Sequence, residues 1–410
     1  MSNIILPKQL TAEDKFDMMN EDGKYEVAGD RDAEQIAVNC ANDITAPKSP
    51  PKVPKMFLSG SCIFNCAYCG CRCSREEKTG YCNTPKELAE MAVYSAKQNG
   101  HGIFVSSAIY KNADYTQELL AESVRIMRED IGYKGYIHAK VMPGADPLLI
   151  QKTGLHASRL SVNIEVAQSS GYERIAKQKT RSNILTPMRN ISEQILIASD
   201  SKRKFATSQT TQLMAGSTNE DDRTIMTLSE ALYNKYRLKR VYYTAFQYRH
   251  SAKGYENEDL SYTSTPYWRM ARLYQADRLL QLYGFTPDDI TPELYPNLES
   301  DIDPKSAWAL RHIDMYPVEV NTADYDTLIR IPGVGITYAK KIIEARKHCV
   351  ITHDVLKKMR VSLKRAAYFI TCNGQYKGGN ALDSYNIRDY LTTGYEQISI
   401  LDSLAADDNC

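Results

Sequence analysis

From about Lys55 to Gly284, short runs rich in β-forming residues alternate six times with longer stretches of helical periodicity, and few architectures accommodate that order. Repeated strand–helix units build a parallel sheet, because each helix carries the chain back to the end where the next strand begins. The strand runs are approximately Lys55–Cys62, Gly102–Ala108, Gly135–Val141, Arg159–Glu165, Ser208–Gly216 and Arg240–Phe246. Partner helices are expected to begin near Thr84, Asp114, Ala145, Pro187, Asn219 and Pro266. The first start is the best marked. Thr84 stands as N-cap, Pro85 at the first helical position and Glu87 three residues after the cap, the pattern of a capping box. Gly100 falls where a left-handed C-cap is expected. The fold class is therefore α/β, with ligands expected at the carboxyl ends of the strands.

The flanks read differently. Residues 1–54 are polar and end in a proline-rich stretch, Pro47 to Pro54, unsuited to a regular helix or a central strand, so they are read as an N-terminal wrap. Residues 285–316 carry Pro287, Pro292, Pro296 and Pro304 and read as a connector with a short helix around Ala307–Arg311. Charge divides the C-terminal residues in two. Pro317 to Lys377 holds eleven Lys/Arg against five Asp/Glu, whereas Gly378 to Cys410 holds one Arg against six acids. A basic module followed by an acidic tail is the electrostatic footprint of a nucleic-acid binder. No apolar run approaches membrane-spanning length. The opening Met1-Ser2-Asn3-Ile4 lacks a basic and apolar signal segment, so a cytoplasmic location with reduced thiols is expected.

Three of the ten cysteines fall in one short run, Ser61-Cys62-Ile63-Phe64-Asn65-Cys66-Ala67-Tyr68-Cys69. Thiolates are the usual protein ligands of iron–sulfur clusters, and a closed four-iron cluster takes four. Three close together leave one iron open. A zinc site usually pairs two short hooks separated by a longer stretch, and a disulfide framework belongs to small secreted chains. Zinc remains the alternative, because Cys71, Cys73 and Cys82 follow closely enough to complete a four-thiolate site or to serve a second cluster. Cys40, Cys349, Cys372 and Cys410 read as structural or incidental.

The spacing C-x3-C-x-aromatic-C resembles that of the radical S-adenosylmethionine (SAM) superfamily. The resemblance implies a partial (β/α)6 barrel, a [4Fe-4S] cluster on Cys62, Cys66 and Cys69, and SAM chelated to the open iron. Cleavage of SAM would then yield a 5′-deoxyadenosyl radical. It implies further that Tyr68 packs near the adenine. The end of the second strand often reads Gly-Gly-Glu in the superfamily; here Ser106 and Ser107 stand there and would receive the amino group of SAM instead. On the fourth strand Ser161, Asn163 and Glu165 share one face by alternation, which the resemblance points at the ribose, the plain alternative being a polar filling of the barrel. Gly216, followed by Asn219-Glu220, resembles an adenine contact and is also an ordinary turn glycine. Arg72, just past the cysteines, suits SAM or cluster electrostatics as well as a surface ion pair.

Beyond the connector, Leu328-Ile329-Arg330-Ile331-Pro332-Gly333-Val334-Gly335-Ile336 and then Ala339-Lys340-Lys341-Ile342 resemble a helix-hairpin-helix motif, so a small all-α DNA-binding module is expected over 317–377. Gly333 and Gly335 permit a tight hairpin, the second helix offers free amides to a phosphate, and Lys340 and Lys341 add charge. A weaker copy runs from Leu356 to Ala366, with Arg360 and Ser362 in place of the glycines. Within the acidic tail, 378–410, Gln397-Ile398-Ser399-Ile400-Leu401 resembles a peptide that docks on the sliding clamp. Together, residues 55–377 resemble bacterial radical SAM proteins described as DNA modification or repair proteins, a group linked with uracil-DNA-glycosylase-like partners. Expected, then, is an enzyme acting on a nucleotide in DNA and fed by a reductant such as flavodoxin or ferredoxin. The alternatives are an RNA- or tRNA-modifying enzyme and a DNA-bound redox sensor.

Overall fold

All six expected strands form, and they form a single sheet. In the computed structural model, which describes residues 15, 53–74, 80–99, 102–246, 265–379 and 385–392, the strands are β1 (Lys55–Phe57), β2 (Ile103–Ser106), β3 (Ile137–Lys140), β4 (Arg159–Ser161), β5 (Ser208–Ala215) and β6 (Arg240–Ala245). They lie side by side in chain order and every neighbouring pair is parallel. The crossovers carry α1 (Pro85–Asn99), α2 (Ala113–Arg128), α3 (Pro147–His156), α4 (Ser170–Ile175), α5 (Arg181–Ser201) and α6 (Asp222–Tyr236), and α7 (Tyr267–Leu282) follows β6. Among the described residues no helix is long and apolar enough to cross a membrane.

Local chemistry sets the helix starts. At α1 the capping box is in place: the Glu87 amide donates to Thr84 Oγ1 at 3.3 Å and the Thr84 amide to Glu87 Oε2 at 2.7 Å. Such a cap contributes about 1 kcal/mol. Gly100 lies outside the described residues. For α5 the expected start at Pro187 is corrected to Arg181, because Thr180 and Asn183 cap each other at 2.8 and 3.2 Å. Pro187 therefore sits inside the helix without an N–H to give to Asn183. Gly144 fills the gap, its amide donating to the Asn183 carbonyl at 2.6 Å.

Period-two alternation sorts the sheet into two faces. Val105, Ala139, Leu160 and Gln209 stand in register across neighbouring strands. Gln209 donates to the carbonyls of Met188 on α5 and Tyr236 on α6, so this face meets the helices. Its apolar members are completely buried, and full burial of each large side chain contributes about 2 kcal/mol. Phe104, His138, Lys140, Ser161, Thr210, Gln212, Tyr242 and Thr244 take the opposite parity. Phe104 on β2 packs with Tyr242 on β6, together with Val53. Strands four places apart touch only where a sheet curls towards closure, so the polar face is concave and the sheet a partial barrel. β4 is shorter than expected. Residues 162–164 leave the ladder and are held by Thr211, whose hydroxyl donates to the Val162 carbonyl at 2.7 Å and accepts from the Ile164 amide at 2.9 Å.

The described residues divide into two compact units, the first running through Glu220 and again over Ala231–Tyr267, the second taking Asp221–Glu230 and everything from Trp268. The second holds α8 (Pro287–Ile290), α9 (Pro304–Arg311), β7 (Val318–Glu319), α10 (Tyr325–Arg330), α11 (Ile336–Ala345), α12 (His353–Lys358), α13 (Leu363–Ala366), β8 (Ile370–Cys372) and β9 (Gln375–Tyr376). Strands β7 to β9 form a small sheet, parallel then antiparallel, which the expected all-helical module did not include. The N-terminal wrap and the clamp-like peptide Gln397–Leu401 lie outside the described residues, apart from Lys15, Val53 and Pro54 of the wrap.

Candidate functional site

The cysteine run leaves β1 at its carboxyl end and is folded largely by backbone bonds. Ile63 donates to the Ile109 carbonyl at 2.9 Å, Cys62 to Cys71 at 3.2 Å, Cys73 to Phe64 at 3.0 Å and Cys69 to Cys66 at 3.1 Å. The Arg72 guanidinium donates to the Cys69 carbonyl at 3.2 Å, which ties down the loop. Cys66 is buried and Cys62 and Cys69 partly so. The three thiols lie within one another's electrostatic reach. Burial pushes Cys62 up to about 11 and Cys66 up to about 12, and the charge of Cys69 adds to both shifts. A hydrogen bond from Cys71 draws Cys69 down to about 7 against its own burial. Among the described residues no three His, Cys, Asp or Glu side chains converge as they would around one metal ion. A polynuclear cluster takes one thiolate per iron and needs no such convergence.

Opposite the cysteines stands a cation that no sequence pattern announced. Lys179, in the turn between α4 and α5, donates to Glu165 Oε1 at 2.7 Å and to the Tyr68 hydroxyl at 3.0 Å. The two charged side chains are 11% and 5% exposed, so the pair is screened by little water. Burial resists the charge of Glu165, but Lys179 outweighs it and holds the carboxyl below its ordinary range. Burial likewise disfavours the Lys179 ammonium, which Glu165 and then Cys66 more than restore. Burial also pushes the Tyr68 phenol far up, so it stays neutral. Glu165 has a left-handed backbone, φ 64°, and its amide and carbonyl bond to Gln212 and Met214 of β5 at 2.9 and 2.8 Å.

The concave face offers hydrogen-bonding atoms without protein partners. Ser161 Oγ, Asn163 Oδ1 and Glu165 Oε2 are buried and unbonded, as are His138 Nε2, Thr210 Oγ1, Gln212 Oε1 and Thr244 Oγ1. Buried polar atoms are normally satisfied, so this cluster calls for water or ligand. Lys179 joins Glu165 to Tyr68, while Ser161 and Asn163 each keep a buried polar atom without a protein partner. His138 and Lys140 of β3 were missed by sequence reasoning, although they alternate with apolar neighbours just as Ser161 and Asn163 do. Ser106 is buried at the end of β2. Ser107 follows the strand, its hydroxyl donating to the Ala108 carbonyl at 2.6 Å. Gly216, φ 79°, has a structural reason to be glycine: a Cβ there would lie 1.8 Å from Thr265 Oγ1. Its amide donates to Glu220 Oε1 at 2.6 Å, which accounts for the acid four residues on.

In the second unit the hairpins repeat. Gly333, φ 81°, and Arg360, φ 65°, both adopt left-handed backbone. Each is followed by a buried valine, Val334 or Val361, and then by the N-caps Gly335 and Ser362 of α11 and α13. The weaker copy therefore keeps the backbone of the first. A Cβ on Gly333 would stand 2.7 Å from the Ser362 carbonyl, so this glycine also lets the hairpins pack together. Gly335 differs, with an ordinary φ of −89° and no side-chain cap on α11. Lys340 and Lys341 are exposed on that helix.

Glu319 fastens the small sheet. Its carboxylate accepts from the amides of Asn321, Asn373 and Gly374 at 3.0, 3.0 and 2.8 Å and from Asn321 Nδ2 at 2.7 Å. Burial opposes its ionisation, but these bonds, Gly374 foremost, bring it from 4.5 down to about 2. A carboxylate depressed in this way stabilises the fold fully above its unfolded value, and the contribution fades as pH falls through the folded one. Glu319→Gln is accordingly expected to be less stable than the parent at neutral pH. The difference should shrink between about pH 4.5 and pH 2, as read by urea unfolding across that range.

Residues 316–353 match the helix-hairpin-helix motif. The fold is similar to two solved structures of the FeFe-hydrogenase maturase HydG. One, from Carboxydothermus hydrogenoformans, is 13% identical with a TM-score of 0.40, covering 66% of this chain and 67% of that one. The other, described as a maturase of the [FeFe]-hydrogenase, is 12% identical with a TM-score of 0.43; the match covers 67% of this chain and 62%, less than two thirds, of that one. No curated protein matches.

Proposed function

We propose that this chain is a radical SAM enzyme that acts on nucleic acid, with a nucleotide in DNA as its substrate. The observation that carries the reading is one juxtaposition: the three thiols on the loop after β1 lie in electrostatic reach of Lys179, and Cys66 and Cys69 in that of Glu165, whose Oε2, like Ser161 Oγ and Asn163 Oδ1 just before it in the chain, is buried without a protein partner. Both the number of thiols and the unpartnered atoms fit a [4Fe-4S] cluster with SAM. When bound, that pair supplies a 5′-deoxyadenosyl radical for hydrogen abstraction.

The chain's own residues do the rest. Cys62, Cys66 and Cys69 hold the cluster. Ser161, Asn163 and Glu165, at and beyond the end of β4, receive the hydroxyls of a ribose, the Tyr68 ring borders the adenine beside Gly216, and Ser106 and Ser107 supply hydroxyls for the amino group. Tyr68 and Glu165 are fixed by Lys179, so these contacts are preformed. The hairpins bind phosphates through the α11 amides with Lys340 and Lys341, without reading bases. A base reaches the concave face only from a single strand or flipped out of a duplex. The grouping with DNA modification or repair proteins and glycosylase-like partners, the cytoplasmic location, a flavodoxin or ferredoxin as reductant, and docking on a sliding clamp through Gln397–Leu401 belong to the same proposal.

The test is anaerobic reconstitution of the full chain with iron and sulfide, followed by SAM and a strong reductant. Appearance of 5′-deoxyadenosine is expected. A protein that loads a cluster but never cleaves SAM is a redox sensor instead. Single-stranded DNA is expected to accelerate SAM cleavage more than RNA of the same sequence, and the reverse order transfers the proposal to RNA. Binding should weaken steeply with salt, as phosphate contacts dictate.

A further inference from the structure

We infer that Lys179 is a positioning residue that raises the reduction potential of the metal centre held by Cys62, Cys66 and Cys69 and locks Glu165 beside it. The inference rests on the cluster reading above and adds to it a residue in a defined role. Three thiols and a carboxylate lie around one buried ammonium, which is in the electrostatic range of Cys62, Cys66, Cys69 and Glu165. Little water screens it, so its charge acts on the sulfurs more strongly than a surface lysine would.

The segment that carries Lys179 is fastened to the cysteine loop at three points. The Ala67 amide donates to the Ile175 carbonyl at 2.9 Å, the Asn65 amide to Gln178 Oε1 at 3.2 Å, and Lys179 itself to Tyr68, the residue between Ala67 and Cys69. Thr180, the next residue, is the cap of α5, which fixes the backbone on the other side. Lys140 adds a second, weaker positive influence on Glu165 from β3. A cation held at fixed distance from thiolate ligands favours the state with one electron more, because that state carries one more negative charge. Charge near an iron–sulfur centre is among the protein's means of setting its potential.

The experiment compares the reconstituted full chain with Lys179→Met, Lys179→Arg and Glu165→Gln, reading iron and sulfide content and the reduction potential by mediated titration. Lys179→Met is expected to move the reduction equilibrium at least tenfold towards the oxidised state, about 59 mV for a one-electron couple. Lys179→Arg should restore most of that difference. Glu165→Gln, which removes a negative charge and keeps the ammonium, should move the potential the other way. A potential unchanged in Lys179→Met overturns the inference. Should that variant take up no cluster, Glu165→Gln decides, an unmoved potential again overturning it. The two readings fail separately: a parent protein that binds no iron sinks the cluster, whereas a loaded parent indifferent to residue 179 sinks only the role given to Lys179.

Discussion

Alanine at Cys62, Cys66 or Cys69 is expected to bring iron per chain down to background after anaerobic reconstitution and to abolish 5′-deoxyadenosine formation with it. Each thiolate holds one iron, and two remaining ligands do not retain a four-iron cluster. Alanine at Cys71, Cys73 or Cys82 is expected to leave iron loading in place. Cys71 contributes to the loop through its carbonyl, which accepts from the Cys62 amide, and Cys82 stands in an antiparallel bridge with Ser59. Iron and sulfide analysis with the visible absorbance of the cluster reads both sets. Full iron in Cys62→Ala would remove the trio from the ligand set. Loss of metal in both sets, with zinc in the parent, would favour the four-thiolate zinc alternative.

Gly333→Val is expected to destabilise the hairpin module by about 3 kcal/mol. The sum has two parts, about 1–2 kcal/mol for a β-carbon in left-handed backbone and about 1–3 kcal/mol for overpacking. The clash is with a backbone atom, the Ser362 carbonyl oxygen, which cannot rotate aside. Gly335→Ala provides the contrast. Its φ of −89° suits any residue, and a Cβ there meets only the Tyr283 hydroxyl at an ordinary 3.5 Å. Its effect on stability should stay under about 1 kcal/mol. Hydrogen-exchange protection of α10 to α13 measures both, and nucleic-acid affinity should fall with the first and survive the second. Equal loss in the two variants would show that the hairpins do not pack as described.

The strand–helix order was legible along the chain because local signals agree there. Thr84 and Glu87 cap α1 as their spacing implies, and Ile336 opens α11 directly after Gly335. Where local signals compete, tertiary contacts decide between them. Pro187 looked like a helix start, yet the Thr180–Asn183 box six residues earlier won, since Gly144 supplied the bond that the proline withheld. The run Arg159–Glu165 looked like one strand, yet Thr211 draws residues 162–164 out of the ladder. Arg360 gave no sign of a left-handed turn, because that conformation is imposed by the hairpin around it rather than favoured by arginine.

Periodicity, caps and cysteine spacing are properties of neighbouring residues, and from them the chain alone determined a parallel α/β sheet, a trio of thiols at its first loop and a helical hairpin. The pairing of Lys179 with Tyr68 and Glu165, the latter two separated by 97 positions in the chain, was decided only when the cysteine loop, the end of β4 and the turn before α5 were packed together. A buried ammonium is tolerated only where folding delivers its anionic and hydrogen-bonding partners to the same place, and no pattern local to residue 179 specifies them.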